Sequence, residues 1–117
     1  MGTEIAHLIK THSGLQLHSI VDIKRGTSSV PVYTEVTDIP FSQIDGIIDF
    51  SPPELFRVLL QASVENGKPF VSGTTGLSEK DKKLIGSAAK RIPVLWAPNM
   101  SLGVAFVKKL LREFQVL

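Results

Sequence analysis

Val71-Ser72-Gly73-Thr74-Thr75-Gly76 stands between a short apolar segment, Lys68-Pro69-Phe70-Val71, and a helix start at Ser78-Glu79-Lys80-Asp81. Asn66-Gly67 bounds the apolar segment on its other side, so it reads as a short buried strand. Ser78 is placed to accept from the Asp81 amide while the Asp81 side chain reaches back, the spacing of a capping box. A glycine-threonine loop joining a buried strand to a helix lies at the carboxyl edge of a parallel sheet, where open α/β sheets bind their ligands. There Gly73 lets backbone approach a ligand closely, and Thr74 and Thr75 offer hydroxyls and amides. Taken alone, the stretch reads more simply as a polar turn with two glycines where φ must be positive.

Its neighbours repeat the pattern. Upstream, Asp45-Gly46-Ile47-Ile48-Asp49-Phe50 is apolar between turn residues, as a buried parallel strand is. Asp49, at its carboxyl end, either faces a ligand or, more simply, caps the turn. Ser51-Pro52-Pro53-Glu54 has the spacing of a second capping box, with Pro52 at the first helical position. Leu55, Val58, Leu59 and Ala62 then form one apolar helical face. Downstream, the helix from Ser78 carries Leu84, Ile85 and Ala88 on one face and stops near Arg91. Ile92-Pro93-Val94-Leu95-Trp96 is a further strand, and Ala97-Pro98-Asn99-Met100-Ser101 a loop with Ser101 as N-cap. Leu102 to Phe114 is the last helix, its stripe of Val107, Leu110, Leu111 and Phe114 read as core, as is Trp96.

The front of the chain adds a helix from Met1 to Thr11 with Ile5, Leu8 and Ile9 on one side, closed by His12-Ser13-Gly14. Leu15 to Val21 reads as a strand ending on Asp22, followed by Ile23-Lys24-Arg25-Gly26. An acidic residue at such a strand tip accepts from ribose hydroxyls in dinucleotide folds; a solvated aspartate at a strand end fits as well. Thr27 to Gln43 is polar and broken by Pro31 and Pro40, with one short strand at Val32-Tyr33-Thr34. Helix, strand, then strand and helix in alternation make a parallel α/β sheet the expected architecture.

Composition narrows the classes. The chain of 117 residues is one domain, 43% hydrophobic and 21% charged, ordinary for a globular protein. A formal charge of +2 spread along the chain gives no electrostatic footprint for nucleic acid. The absence of cysteine excludes disulfides and thiolate chemistry. No apolar run approaches the ~18 residues of a membrane span, and Met1 to Glu4 shows no signal-peptide pattern.

Read together and in order, IIDFSPPE, GKPFVSGTTGLSEKDKKLI and IPVLWAPNMSLGV resemble 4-hydroxy-tetrahydrodipicolinate reductase, also called dihydrodipicolinate reductase. The resemblance runs from Met1 to about Phe114. It implies a Rossmann-like parallel sheet flanked by helices, and a cytoplasmic oxidoreductase of diaminopimelate and lysine biosynthesis. It implies NADPH or NADH as cofactor, a cyclic dicarboxylate substrate, no nucleic acid, no membrane, and a homo-oligomer in the complete enzyme. By the same resemblance Gly73, Thr74 and Thr75 border the nicotinamide, with Thr75 a possible substrate contact and no other catalytic residue assigned. Ala97, Pro98, Asn99 and Met100 supply backbone around the nicotinamide half. Asp22 takes the adenosine ribose, and Lys24 and Arg25 meet a 2′-phosphate. No metal is implied.

The departures are equally specific. The family opens with a strand and a glycine-rich loop, of which Met1-Gly2 resembles only the tail. The substrate domain, with its paired histidine, lysine and PSGTA-like loop, has no counterpart here, and His7, His12 and His18 are not its equivalents. The expectation is a partial dinucleotide-binding domain over residues 1–117, incomplete at its N-terminus and without the C-terminal substrate and oligomerisation domain. In such a sheet the first strand lies between the second and fourth. Its absence would leave Leu17 to Val21 and Ile47 to Phe50 without their shared neighbour. A non-catalytic nucleotide-binding or interaction module is the alternative from another class. A different nicotinamide dehydrogenase fits the GTTG and APNMS pair less well.

Overall fold

The computed structural model describes residues 1–24 and 26–114. Helix α1 (Gly2–Thr11) is followed by strands β1 (Ile20–Val21) and β2 (Val32–Tyr33), then by two 3-10 turns, Val36–Asp38 and Phe41–Gln43. Strand β3 (Ile47–Asp49), helix α2 (Pro53–Glu65), strand β4 (Phe70–Ser72), helix α3 (Glu79–Ala88), strand β5 (Val94–Trp96) and helix α4 (Leu102–Phe114) complete the order. All strand pairs are parallel: β1 with β2 in one sheet, β3-β4-β5 in another with β4 central. Parallel neighbours need crossovers rather than hairpins; α2 and α3 are the crossovers of the larger sheet, while residues 22–31 join β1 to β2, with no helix among those described. The architecture is α/β and Rossmann-like, as the sequence predicts.

The core forms where α2 lies against the central strand. Phe56, Leu59 and Leu60 of α2 bury with Phe70 of β4, Ala88, Ile92, Val36 and Ile39. The rings of Phe56 and Phe70 meet edge to face, centroids 5.8 Å apart, the geometry aromatic quadrupoles favour. Val36 and Ile39 come from the stretch that is least regular in sequence. The first 3-10 turn folds it back so that these two side chains close the core.

Several expectations need correction. The buried face of α2 is Phe56, Leu59, Leu60 and Ser63, one position round from the expected face, and Val58 is 52% exposed. The Phe56 ring carries more apolar area than Val58, and Ser63 enters the core because its hydroxyl donates to the Leu59 carbonyl 2.7 Å away. Ser51 does not cap α2: Pro52 is the N-cap residue and Pro53 the first helical one. The Ser51 hydroxyl turns to Asp49 instead. Of Leu15 to Val21 only Ile20 and Val21 are strand, because β2 offers just two residues to pair with. The stripe of α4 is not core. Phe114 is 64% exposed and α4 buries no side chain, since helical periodicity records an apolar face but not what covers it. Helix α1 likewise buries none. Two such helices fit a radius of gyration of 16.0 Å, against about 13 Å for a compact domain near this size. No helix among the described residues is long and apolar enough to cross a membrane.

The two sheets leave two edges. The Ile20 amide donates to Pro31 and the Asp22 amide to Tyr33, so the alternation of a parallel ladder turns the Val21 backbone groups the other way. In β3 the Ile47 amide donates to Pro69 and the Asp49 carbonyl accepts from Gly73, which turns Ile48 away from β4. Among the described residues no strand pairs with β1 or β3 on those sides.

Helices α2 and α3 are joined by one ion pair. Arg57 grips the buried Asp81 through Nε at 2.6 Å and a terminal nitrogen at 3.0 Å, and Asp81 also accepts from the amide and hydroxyl of Ser78. The capping box read from the sequence is present. Arg57 first, then the Ser78 hydroxyl and amide, hold the Asp81 carboxyl well below its ordinary value of 3.8. A depressed carboxylate contributes stability that is fully present above the unfolded value and is lost as pH falls toward the folded one. Thermal unfolding followed from pH 6 downward should therefore show a midpoint that falls more steeply below about pH 4 in the wild-type chain than in Asp81→Asn. Parallel curves would show that the pair carries none of the acid sensitivity.

Candidate functional site

Because β3, β4 and β5 are parallel and in register, Asp49, Ser72 and Trp96 lie side by side. The chain leaves all three strands at the same edge. There it forms the loops Phe50–Pro52, Gly73–Leu77 and Ala97–Ser101.

One carboxylate ties two of these loops. Asp49 is 2% exposed. Its Oδ1 accepts from the amide and hydroxyl of Ser51, and its Oδ2 accepts from the hydroxyls of Ser72 at 2.6 Å and Thr74 at 2.8 Å. Thr74 Oγ1 also lies 2.9 Å from the Ser51 carbonyl, so its one proton sits between two acceptors. The Thr74 amide donates to Ser72 Oγ at 3.1 Å, and the Thr74 carbonyl accepts from the Trp96 indole N–H at 3.0 Å. That indole bond attaches the third loop, and the Ala97 amide adds a bond to the Ser72 carbonyl. Of the two roles read for Asp49, turn-capping is the one its contacts fill.

These contacts revise what the GTTG loop offers. Thr74, 3% exposed, has amide, hydroxyl and carbonyl all engaged within the protein, so it fixes the loop instead of presenting its hydroxyl outward. Gly73 is buried under Phe50, whose ring occupies the space a Cβ would need. The approach of this ring is enough to require glycine there. Gly76 has φ +71° and is the residue of the loop that needs left-handed backbone. Thr75 is exposed and is the threonine that faces outward. Trp96, read from the sequence as core, is half-buried and serves as a donor. Hydrophobic periodicity has no means of marking such a role. The Ser72 hydroxyl and Phe50 were missed for the same reason: each acts through a partner distant in sequence.

In the third loop Ala97 is half-buried, and Pro98, Asn99 and Met100 are exposed. Asn99 Oδ1 accepts from the Ser101 amide, and the Ser101 carbonyl accepts from Ala105 to open α4. Asp22 and Lys24 belong to the smaller sheet: both are exposed, and Asp22 Oδ1 accepts from the Lys24 amide at 3.2 Å. Arg25 lies outside the described residues. Open depressions occur among the described residues. One, of about 430 Å³, is lined by Arg57, Ser78, Lys80, Asp81 and Leu84, and contains none of the residues expected to bind a cofactor. Another, of about 360 Å³, is lined by Gly26, Ser28, Val30, Pro31 and Val32, just after Asp22 and Lys24 in the chain. Among the described residues no group of three His, Asp or Glu side chains is placed to hold a metal.

Parallel strands with helical crossovers, and strand-end loops gathered at one carboxyl edge, define a Rossmann-like nucleotide-binding domain. The family described as dihydrodipicolinate reductase, N-terminus, matches residues 1–100, and the chain belongs to that family. The 4-hydroxy-tetrahydrodipicolinate reductase of Bdellovibrio bacteriovorus is 37% identical over 118 residues, covering 100% of this chain and 47% of the relative. That of a Nitratiruptor species is 39% identical over 115 residues, covering 90% of the chain and 45% of the relative. That of Stenotrophomonas maltophilia is 38% identical over 123 residues, covering 97% and 49%. The chain thus spans about half the length of the curated relatives it matches.

The Phe50–Gly73 contact is directly testable. Gly73→Ala should destabilise the chain by ~1–3 kcal/mol, the usual range for overpacking, as read by urea unfolding. In a Phe50→Ala background the same substitution should cost much less. Equal costs in both backgrounds would remove Phe50 as the reason for glycine.

Proposed function

We propose that this chain is the nucleotide-binding half of an NADH- or NADPH-dependent reductase acting on a dihydrodipicolinate-type cyclic dicarboxylate. The observation that carries the reading is the coincidence of family membership with a rigid carboxyl-edge loop whose outward residue is Thr75. Nicotinamide fits beside Gly73 to Thr75 and the Ala97 to Met100 backbone, where exposed polar groups adjoin half-buried Ala97 and Trp96. Asp22, exposed at the tip of β1, fits a ribose diol, and Lys24 and Arg25 would answer a 2′-phosphate. When bound, the cofactor supplies the hydride; this chain supplies its position. One threonine hydroxyl does not neutralise two substrate carboxylates, so the groups that bind them and donate the proton belong to the remaining half of the enzyme. We assign the edges of β1 and β3 to a further strand of the complete sheet.

Titration with NADH and NADPH tests this. Asp22→Ala should weaken NADH about tenfold to a hundredfold, the equivalent of losing a charge-assisted hydrogen bond. Lys24→Ala and Arg25→Ala should affect chiefly NADPH. Fusing the complementary strand and second domain of a relative should restore substrate-dependent NADPH oxidation, and there Thr75→Val should lower rate more than cofactor affinity. Equal losses for both cofactors in all three charge variants, or turnover by the bare chain that Thr75→Val abolishes, would refute the assignment.

A further inference from the structure

We propose that Asp49 is a positioning residue for the nicotinamide side of the site, acting on ligand geometry through Thr74 while touching no ligand itself. The inference rests on the nucleotide reading above and names a residue that the cofactor-binding set does not contain. Four donors converge on this buried carboxylate: the amide and hydroxyl of Ser51, and the hydroxyls of Ser72 and Thr74. Hydrogen bonds to a carboxylate are roughly twice as strong as neutral ones, and at 2% exposure water does not replace them. The backbone of Thr74 is held at both ends, by Ser72 Oγ on its amide and by the Trp96 indole on its carbonyl. Thr75, the next residue, therefore leaves the loop in a direction set by Asp49. The carboxylate joins β3 to the loop after β4, and the indole carries the constraint to β5. Losing an acceptor here strands hydroxyls in a dry site, where each unpaired group is costly.

The chain carries its own probe, because Trp96 is its sole tryptophan and bonds directly to the residue in question. Asp49→Asn keeps the shape but replaces one acceptor oxygen with an NH2 group, so either Ser51 or the Ser72–Thr74 pair loses its acceptor. Thr74→Val removes the bridging hydroxyl at nearly constant volume, and Thr74→Ser retains it. Trp96 emission, its quenching by acrylamide, NADH affinity and the thermal midpoint are measured for the full chain and each variant. Asp49→Asn and Thr74→Val should red-shift Trp96, increase its quenching and raise the NADH dissociation constant on the order of tenfold. Thr74→Ser, which keeps the hydroxyl, should lie closer to wild type than Thr74→Val on each readout, and the double variant should be little worse than either single one, because both act through one contact. A lowered midpoint with wild-type emission and wild-type NADH affinity in both single variants would make Asp49 merely structural and overturn the proposal. If Asp49→Asn fails to fold, Thr74→Val against Thr74→Ser decides. If the wild-type chain binds neither dinucleotide, the nucleotide reading fails, and Trp96 emission, which needs no ligand, alone decides whether Asp49 positions the loop.

Discussion

Loops that leave a parallel sheet at one edge cannot satisfy each other by hairpin pairing, and in this chain the Asp49 carboxylate takes over that task. Its two oxygens collect the donors of Ser51, Ser72 and Thr74, and no buried side-chain polar atom among the described residues lacks a partner. Burying one carboxylate is unfavourable unless it is fully hydrogen-bonded. The arrangement is accordingly all or nothing: each hydroxyl is justified by the carboxylate, and the carboxylate by the hydroxyls together. A polar network of this kind fixes one conformation more sharply than apolar packing does. A loop that must place a ligand rather than merely turn has a use for that sharpness.

Beneath the edge, apolar packing holds the strands that carry these loops. Phe56 against Phe70 sets α2 on the central strand, and Arg57, the next residue along, turns outward to grip Asp81 at the start of α3. One turn of α2 thus faces the core with an aromatic ring and the neighbouring helix with a guanidinium. The α3 N-terminus is fixed twice, by its capping box and by Arg57, and the GTTG loop runs directly into it. The loop is held from below by Asp49 and from its exit by Ser78 and Asp81.

Local chemistry was legible in the sequence, and long-range chemistry was not. The strands ending at Asp49 and Trp96, the Ser78–Asp81 capping box and the helix from Leu102 follow from turn residues and periodicity, which are properties of adjacent residues. The buried face of α2 was misread by one position because periodicity fixes a repeat but not its phase, and the partner ring of Phe70 chose Phe56 over Val58. Ser51-Pro52-Pro53-Glu54 has the spacing of a capping box, yet the helix starts one residue later, at Pro53, and the Ser51 hydroxyl donates to Asp49, two residues back. The closeness of Gly73 to the Phe50 ring was not legible, since that contact exists only once two strands are paired. Trp96 and the α4 stripe show the reciprocal failure: apolar residues at regular spacing look like core whether or not anything covers them.

The strands fall into two sheets. Asp22 and Lys24 follow β1, while Thr75 and residues 97–100 follow strands of the larger sheet. No ladder hydrogen bond connects the two groups among the described residues. On the proposed reading, one dinucleotide would have to span both, its adenosine on the first sheet and its nicotinamide on the second. Holding hydride donor and acceptor in place can supply about 7–11 kcal/mol of a barrier, but only if the two ends of the cofactor are fixed relative to each other. On that reading the Asp49 network would hold the nicotinamide end on its own sheet and do nothing for the distance to Asp22. On the same reading that distance would be set by a strand pairing with Val21 and Ile48, so the precision built into the GTTG loop would serve catalysis only in a sheet continuous between β1 and β3.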